Sequence, residues 1–480
     1  MPSLLVLIPL FGIILLNLPF RRLNEKYVFW FAVFLLSVQI LFTISHHSLF
    51  WQQGMGYIDS FFKVDFAIDS LSFIMLLCIA IVSMVSLSVS RYTIPDPRER
   101  FKFINLLMIA AIGMNGIVIT KDLFSLYVFL EITALSSVVL IAFQKDMNAL
   151  EGAFKYLILS SIATIMMLFS IALILLVSPG TSFAVIAAAL KESPNSAVII
   201  FAMGIFICGL FIKGGLVPFH GWLPDAYTAA PSAVSILLAG IVTKVCGIYT
   251  AIRVIAFVFG FNEVIKSLFM FIGLFSILIG ALAALGQKDL KRLLAYSSIS
   301  QVGYIILGFG TGTALGMAGA VFHIFNHAVF KSLLFVNAAA VEKRIGSSDL
   351  DRMGGLSYRM PITGSTSVIG VLSTCGIPPL AGFWSKLVII IALWQSGHYM
   401  YGTIAVLASI LTLAYLLLMQ RKAFFGKLPK ELENLKDLKE VGPEFTLPSI
   451  ILAMITISVG VFFPFVFDKF VVPIKSIFMQ

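Results

Sequence analysis

A lysine lies inside an apolar stretch of this sequence, beside a run of residues that break helices. The stretch is CGLFIKGGLVPFHGWLPDAYTAAP, from Cys208 to Pro231, and its lysine is Lys213. A charge in hydrocarbon costs roughly 2.5–3.5 kcal/mol, so such a lysine faces protein or water and is a functional candidate. Interrupted helix backbone at membrane depth is tolerated only where protein buries it or where it lines a wet cavity. The combination predicts a site on an ion path through a membrane protein.

Two more ionisable residues lie near the middle of apolar stretches. Glu131 follows nine residues after Asp122, in LFSLYVFLEITALSS, and Lys244 is central in LLAGIVTKVCGIYT. A carboxylate at that depth is neutral unless a cation lies near it, and Lys213 is the partner that we expect for Glu131. A static ion pair that only holds helices together is the alternative.

Two histidines and a lysine recur at intervals of four residues in VFHIFNHAVFKSLLF. His323, His327 and Lys331 therefore form one stripe, about 12 Å long, on a helix. Histidine titrates near physiological pH, which suits a proton relay. The spacing could also hold zinc, but Ile324 occupies the place of the glutamate that zinc-protease helices need. We expect no metal here; a histidine satisfied within the core is the alternative for either position taken alone.

A second break has the same composition as the first. The segment CGIPPLAGFWSK, from Cys375 to Lys386, again joins prolines and glycines to a lysine in an apolar stretch, and Lys386 is expected at the end of this break. Lysine carries protons only if desolvation and neighbouring cations lower its pKa enough for release. The predicted lateral chain of proton carriers is Glu131, Lys213, Lys244, His323, His327, Lys331 and Lys386.

The composition requires an integral membrane protein. Hydrophobic residues make up 60% and charged residues 12% of the 480 residues, whereas soluble domains carry about 25% charged residues. Apolar runs of about 20 residues span a bilayer, and they predict an all-α polytopic fold with about fourteen spans. The runs fall near 2–20, 27–44, 69–90, 103–120, 122–143, 155–178, 197–219, 232–257, 264–286, 292–311, 314–340, 362–396, 401–420 and 447–467.

The distribution of charge predicts the orientation. The net charge of +10 would also fit a nucleic-acid partner, but the basic residues form short clusters between apolar runs. The positive-inside rule explains these clusters better. Arg253 is counted with the few cations of the other side. We therefore expect the plasma (inner) membrane of the cell, with the basic loops in the cytoplasm and both termini on the outer face. The four cysteines show no metal-ligand spacing, so neither a metal nor an iron–sulfur site is expected.

The chain is predicted to be a single membrane domain, residues 1–480, because no linker or composition break indicates a second one. The breaks in the seventh and twelfth spans suggest two five-helix repeats, spans 4–8 (103–257) and spans 9–13 (264–420). Because five is an odd number, the two copies would insert with opposite topology, as inverted repeats of transporters do.

Four stretches resemble one protein family. They are LFSLYVFLEITALSS, FIKGGLVPFHGWLPDAYTAAPSAVS, HIFNHAVFKSLLF and GIPPLAGFWSK. They look like the antiporter-like membrane subunits of respiratory complex I, of multi-subunit (Mrp-type) sodium/proton antiporters and of energy-converting membrane-bound hydrogenases. The resemblance covers about residues 60–425. It implies fourteen helices, two inverted five-helix repeats, broken seventh and twelfth helices, and proton translocation.

The resemblance also implies roles for particular residues. The family's key glutamate falls on Glu131, and its lysines of helices seven and eight fall on Lys213 and Lys244. Its connecting stripe falls on His323, His327 and Lys331. Its terminal carrier near the outer exit falls on Lys386. Some members have glutamate at the last position, whereas this sequence has Lys386.

The function that the resemblance implies is a proton-translocating subunit of a redox-driven complex, either a complex I-like NADH-quinone oxidoreductase or a membrane-bound hydrogenase. This chain has no flavin, nicotinamide or iron–sulfur motif, so whether it counts as part of an enzyme depends on its complex. The expected partners are other antiporter-like and small membrane subunits and a peripheral redox module with iron–sulfur clusters and flavin or nickel–iron. The alternative is a subunit of a sodium/proton antiporter without a redox module. A structural scaffold is a third reading, in which the buried charges are dispensable.

Overall fold

The computed structural model describes residues 2–17, 25–45, 58–61, 64–192, 196–427, 429 and 438–471. Within that part, twelve helices are long and apolar enough to cross a membrane, and two apolar helices are shorter. These helices confirm the helical membrane fold. A helix suits a bilayer because it pairs its backbone groups within one segment. The total of fourteen spans, the repeats 103–257 and 264–420, and the side on which the termini lie stay predictions; residues 472–480 lie outside the described residues.

The first half of the fold contains a β-hairpin on the chain between two long helices. Aspartates begin four of the helices, because the carboxylates of Asp69, Asp96, Asp122 and Asp146 accept hydrogen bonds from backbone N–H groups of the first turn. The elements are α1 (Leu4–Leu16), α2 (Glu25–Ser45), β1 (Ile58–Phe61), β2 (Val64–Ala67), α3 (Ser70–Thr93), α4 (Pro97–Ile119), α5 (Leu123–Ile141), α6 (Met147–Ile174), α7 (Phe183–Glu192), α8 (Ala197–Gly214) and α9 (Trp222–Ala229).

The second half contains the most enclosed helices. Nearly all residues of α10, α12 and α13 are buried, so these helices form the core around which the others pack. Much of α10 is π-helical, including Leu238–Val242 and Lys244–Tyr249. The elements are α10 (Ser232–Phe259), α11 (Glu263–Leu285), α12 (Leu290–Gly310), α13 (Ala314–Ile345), α14 (Pro361–Cys375), α15 (Ala381–Gln395), α16 (Tyr399–Phe425), α17 (Pro443–Val461) and α18 (Phe463–Val466).

Both predicted breaks interrupt a membrane-spanning element. α8 ends at a left-handed Gly215 (φ 65°), and the indole N–H of Trp222 in α9 donates back to the carbonyl of Ile212 at 3.0 Å. α14 ends at a left-handed Gly376 (φ 84°), and the amide of Asn326 in α13 donates to the first carbonyl of α15 at 3.0 Å. Side chains of neighbouring elements thus hydrogen-bond to the backbone at both breaks, where the regular helix pattern stops.

Arg253 corrects an expectation from the sequence. We counted it near a helix end, with the few cations of the outer side, but it is fully buried in α10. Its guanidinium donates to both carboxylate oxygens of Asp69, at 2.5 and 2.8 Å, and to the Tyr249 hydroxyl at 2.7 Å. The Lys121 Nζ lies 3.0 Å from the same carboxylate. Because arginine stays charged in proteins, its burial requires such a counter-ion. The cluster ties the ends of α3 and α10 together.

Replacing Asp69 with asparagine is expected to lower the melting temperature of the protein markedly. The substitution leaves the charge of Arg253 buried without its counter-ion, and breaking a buried ion pair typically costs about 3–5 kcal/mol. Thermal unfolding of the full chain in detergent measures the effect. The exposed Asp468 provides the matched control, since Asp468→Asn removes a carboxylate of the same type without disturbing this cluster. Equal melting temperatures for both variants would contradict the assigned role.

The stability that Asp69 contributes should also depend on pH. Burial alone would raise the pKa of Asp69, but the charges of Arg253 and Lys121 outweigh it and hold this pKa well below its usual value. A carboxyl with a depressed pKa stabilises the folded state above about pH 4, and this contribution is lost as the pH falls toward the folded-state pKa. The wild type should therefore lose stability on acidification below about pH 4, and Asp69→Asn should lose less.

Candidate functional site

Lys213 lies in the last turn of α8, where the first broken helix stops. Its side chain is buried, and its Nζ donates to the Ser160 Oγ of α6 at 2.9 Å. The free carbonyl groups at the C-terminus of a helix favour a positive charge. The end of α8 therefore stabilises an ammonium group without a carboxylate in direct contact.

The expected contact between Glu131 and Lys213 is not formed. Both residues belong to the described part of the chain, and no ion pair within 4.0 Å joins them, although the charge of Glu131 acts on Lys213. Glu131 is half-buried on α5, beside the exposed apolar face of that helix. This face carries Phe124, Val128, Leu135 and Val139. The carboxylate thus borders a surface of the chain, a position that the sequence did not indicate.

Two glycines bring the Lys213 turn against α10. A Cβ atom on Gly247 would lie 2.3 Å from the backbone N and Cα atoms of Gly214. No side chain fits at that distance, so only glycine allows this approach. The end of α8 consequently packs against the π-helical stretch that contains Lys244.

Replacing Gly247 with alanine is expected to lower the melting temperature by several degrees. The added methyl group meets backbone atoms, so the helices must move apart, and overpacking of this kind costs about 1–3 kcal/mol. Gly204→Ala is the matched control, because Gly204 lies within α8 and its Cβ would meet nothing within 4 Å. Thermal unfolding in detergent compares the two; a Gly247→Ala protein as stable as the control would show that α8 and α10 do not pack as described.

Lys244 is completely buried in α10. Its Nζ donates to the carbonyl of Ala239, which lies five residues earlier in the π-helical stretch. The Tyr227 hydroxyl of α9 donates to the neighbouring carbonyl of Leu238 at 3.0 Å and contacts the Thr243 hydroxyl at 2.9 Å. π-Helical turns often occur at functional sites. Here one carbonyl of such a turn, that of Ala239, accepts the hydrogen bond from the lysine.

The histidine stripe lies on α13 and is fully buried, with the rings of His323 and His327 6.2 Å apart and nearly parallel. The His323 Nδ1 lies 2.8 Å from the Ser385 Oγ of α15, and the Lys331 Nζ donates to the carbonyl of Leu294 in α12 at 3.1 Å. Within the described residues, neither ring nitrogen of His327 has a hydrogen-bond partner. His327 is therefore not a core histidine whose ring is satisfied by hydrogen bonds to the protein.

Lys386 lies in the second turn of α15, and not at the end of the break as expected. Its buried Nζ reaches back across the break and donates to the carbonyl of Thr374, in the last turn of α14, at 2.8 Å. It also lies 4.5 Å from the centre of the Tyr304 ring. The second break thus repeats the arrangement at Lys213: an ammonium group at the C-terminal end of the half-helix before the break.

The helices that carry these residues form a contiguous series. α8 packs against α10, α10 against α13, and α13 against α12, α14 and α15. Lys244, Lys331 and Lys386 all lie within electrostatic range of His327. The structure therefore brings Lys213 and the residues from Lys244 to Lys386 into one enclosed core, and it leaves Glu131 at the border.

One known protein family matches the part of the sequence that contains most of this core. The family model described as NADH:quinone oxidoreductase/Mrp antiporter, transmembrane, matches residues 120–412, which is more than half of the chain. This chain belongs to that family. The matched range includes all seven candidate residues of this antiporter-like chain, from Glu131 to Lys386.

Two curated relatives resemble the antiporter-like chain over most of its length. It is 33% identical to a Na(+)/H(+) antiporter protein of Alkalihalophilus pseudofirmus, one component of a multi-subunit antiporter, over 83% of this chain and 80% of the relative. It is 35% identical to the NADH-quinone oxidoreductase subunit N of Desulforudis audaxviator, over 70% of this chain and 67% of the relative. The family resemblance inferred from the four motifs is thereby confirmed.

Solved structures have the same fold. A chain of the Mrp complex from Dietzia sp. matches with a TM-score of 0.90 at 23% identity, covering 99% of this chain and 97% of that chain. A chain of the archaeal membrane-bound sulfane sulfur reductase, a respiratory membrane complex, matches with a TM-score of 0.88 at 27% identity, covering 100% and 98%. The likeness extends to the whole of the antiporter-like fold.

Charge-based reasoning missed the uncharged polar residues of the core of this antiporter-like chain. Gln301 is fully buried on α12, between the turns of Leu294 and Tyr304, and within the described residues neither end of its amide has a hydrogen-bond partner. Ser160 and Ser385 contact Lys213 and His323 directly. The signal that could have found Gln301 is an amide in an otherwise apolar span. The serines gave none, because serine is common in membrane helices.

Proposed function

We propose that this chain is a proton-translocating, antiporter-like subunit of a redox-driven membrane complex. Protons pass along Glu131, Lys213, Lys244, His323, His327, Lys331 and Lys386. The observation that carries the proposal is the enclosed row of titratable side chains from Lys213 to Lys386, in helices that contact one another, within a fold shared with the Mrp complex and with a respiratory membrane complex. Ionisable groups are costly at this depth, and in membrane proteins they mark ion and proton pathways.

Water completes the relay between side chains that do not touch. Several buried polar atoms of the described core have no protein partner, among them both His327 ring nitrogens, His323 Nε2, the Gln301 amide and the Ser332 hydroxyl. Buried polar groups are normally hydrogen-bonded, and polar internal spaces hold ordered water. A hydrated space around α12 and α13 would connect Lys331 with Lys386 through the histidines.

Glu131 acts on the relay from its edge. The carboxylate is half-buried beside an exposed apolar face, and a charge in contact with lipid is costly, so a neighbouring membrane subunit covers it. A carboxylate stabilises a nearby ammonium group. Any movement that changes the separation of Glu131 and Lys213 therefore alters how firmly Lys213 holds its proton.

Replacing Glu131 with glutamine should reduce the proton stoichiometry of the complex without preventing assembly. The substitution removes the charge that acts on Lys213 while it keeps the size of the side chain. Proton uptake per electron, measured in vesicles of the purified complex, should fall severalfold. Glu192→Gln, at an exposed position, is the control. Unchanged stoichiometry would contradict a coupling role and would favour a static charge.

Redox cofactors belong to partners in this proposal. Iron–sulfur clusters and flavin or nickel–iron would lie in a peripheral module, and other antiporter-like and small membrane subunits would adjoin this chain. The chain would lie in the plasma membrane with its basic loops in the cytoplasm and both termini outside. The relative named as NADH-quinone oxidoreductase subunit N supports the assignment to a complex with redox partners.

A sodium/proton antiporter subunit is the second candidate. The Na(+)/H(+) antiporter relative from Alkalihalophilus pseudofirmus favours it, with 33% identity over most of both chains. The same relay would then exchange protons for sodium without a redox module. Both candidates need the buried charges, whereas a purely structural scaffold does not.

Isolation of the native complex through a tag on this chain separates the candidates. Its subunits are identified, the complex is placed in liposomes, and internal pH is followed on addition of an electron donor or of a sodium gradient. Redox-driven proton movement supports the proposal. Sodium-driven proton movement in a complex without redox subunits replaces it with the second candidate, and no proton movement under either condition overturns both.

A further inference from the structure

An apolar groove lies on the surface of the chain, and no residue of the relay helices lines it. It is formed by α2, α3 and α17 and has a volume of about 510 Å³. Most of its wall is hydrocarbon, contributed among others by Trp30, Ile40, Ile81, Met84, Ile451 and Ile455. None of the proposed proton carriers lines it, so the proposed function does not account for this groove.

Two opposite charges line the same groove without touching each other. Arg91 lies in the last turn of α3 and is exposed, 5.0 Å above the ring of Phe29. Glu444 lies in the first turn of α17, and its Oε1 is buried without a hydrogen-bond partner among the described residues. No ion pair within 4.0 Å joins the two side chains. The N-terminus of α17 favours a carboxylate there, but it supplies no hydrogen bond to that oxygen.

The groove has the depth of one membrane leaflet. Ile81 and Arg91 both line it and lie ten positions apart on α3, which corresponds to about 15 Å along a helix. Half of the hydrocarbon core of a bilayer is also about 15 Å thick. Arg91 ends its helix on the side of the basic loops, so the charged end of the groove lies at the level of lipid headgroups and the apolar part at the level of acyl chains.

We propose that this groove binds one phospholipid with a primary-amine headgroup. The phosphate accepts hydrogen bonds from the Arg91 guanidinium, the ammonium group donates to the Glu444 carboxylate, and one acyl chain lies along α3 and α17. Arginine pairs with phosphate through two parallel hydrogen bonds, and an ammonium group supplies three donors. A headgroup with phosphate alone leaves Glu444 unpaired, and a quaternary amine has no hydrogen to donate.

Native mass spectrometry of the purified complex that contains the full chain tests this specificity. The complex is stripped of lipid in detergent and titrated with dioleoyl-phosphatidylethanolamine, -phosphatidylglycerol or -phosphatidylcholine. Phosphatidylethanolamine should bind about tenfold more tightly than the other two, the effect of one charged hydrogen bond. Glu444→Gln should abolish this preference, and Arg91→Gln should weaken binding of all three lipids about tenfold.

Three further variants make the result decisive. Glu192→Gln and Arg98→Gln remove exposed charges outside the groove and should change nothing. Ile451→Trp fills the apolar part, so it should eliminate the bound lipid whatever its headgroup. The proposal is overturned if the wild type shows no headgroup preference, if Ile451→Trp binds lipid normally, or if crosslinking from Ile451 captures a partner subunit seated in the groove.

Discussion

Replacing Lys213 with alanine is expected to reduce proton translocation by the assembled complex about a hundredfold or more. Positioned proton-transfer groups typically contribute this much, and Lys213 is the buried cation at the end of the first half-helix. The residual Ser160 hydroxyl cannot replace it, because serine does not hold a positive charge. Proton uptake by vesicles of the purified complex is the measurement.

Lys213→Arg separates proton transfer from the mere presence of charge. Arginine keeps a cation at the end of α8 but does not release its proton in proteins. It should therefore assemble as well as the wild type and translocate as poorly as Lys213→Ala. Lys191→Ala, at an exposed position on α7, serves as the control. Full translocation by the arginine variant would reduce Lys213 to a structural cation and would support the scaffold reading.

Replacing Lys386 with alanine should produce the second largest loss, at least tenfold in proton flux. Its Nζ lies at the C-terminal end of α14 and over the Tyr304 ring. Its position on α15 also places it one residue after Ser385, which contacts His323. Alanine would therefore interrupt the relay where it leaves the histidine stripe.

Lys386→Glu should retain more flux than Lys386→Ala. Glutamate is titratable, and the family resemblance gives glutamate at this position in some members. The carbonyl of Thr374 would still have a donor whenever the glutamate is protonated. A proton-flux assay of both variants, normalised to the amount of assembled complex, ranks them. If alanine outperforms glutamate, Lys386 is not the terminal carrier.

The sequence by itself determined the elements and the residues of interest. Apolar runs predicted the helices, because an unpaired backbone group is energetically costly in a bilayer. Glycines and prolines predicted both breaks. Charges within the spans indicated Lys213, Lys244, Lys331 and Lys386 as functional candidates, because an ionisable residue is costly at membrane depth. Helical periodicity then placed His323, His327 and Lys331 on one stripe of α13.

Only the tertiary structure decided the partners of these residues. Lys213 bonds Ser160, 53 positions away, and not Glu131; Arg253 pairs with Asp69 across 184 positions. The π-helical carbonyl of Ala239 that accepts from Lys244, and the buried amide of Gln301, likewise follow from how α10, α12 and α13 pack. The hydropathy of a residue predicts whether it is buried. It does not predict which neighbouring helix supplies its hydrogen-bond partner.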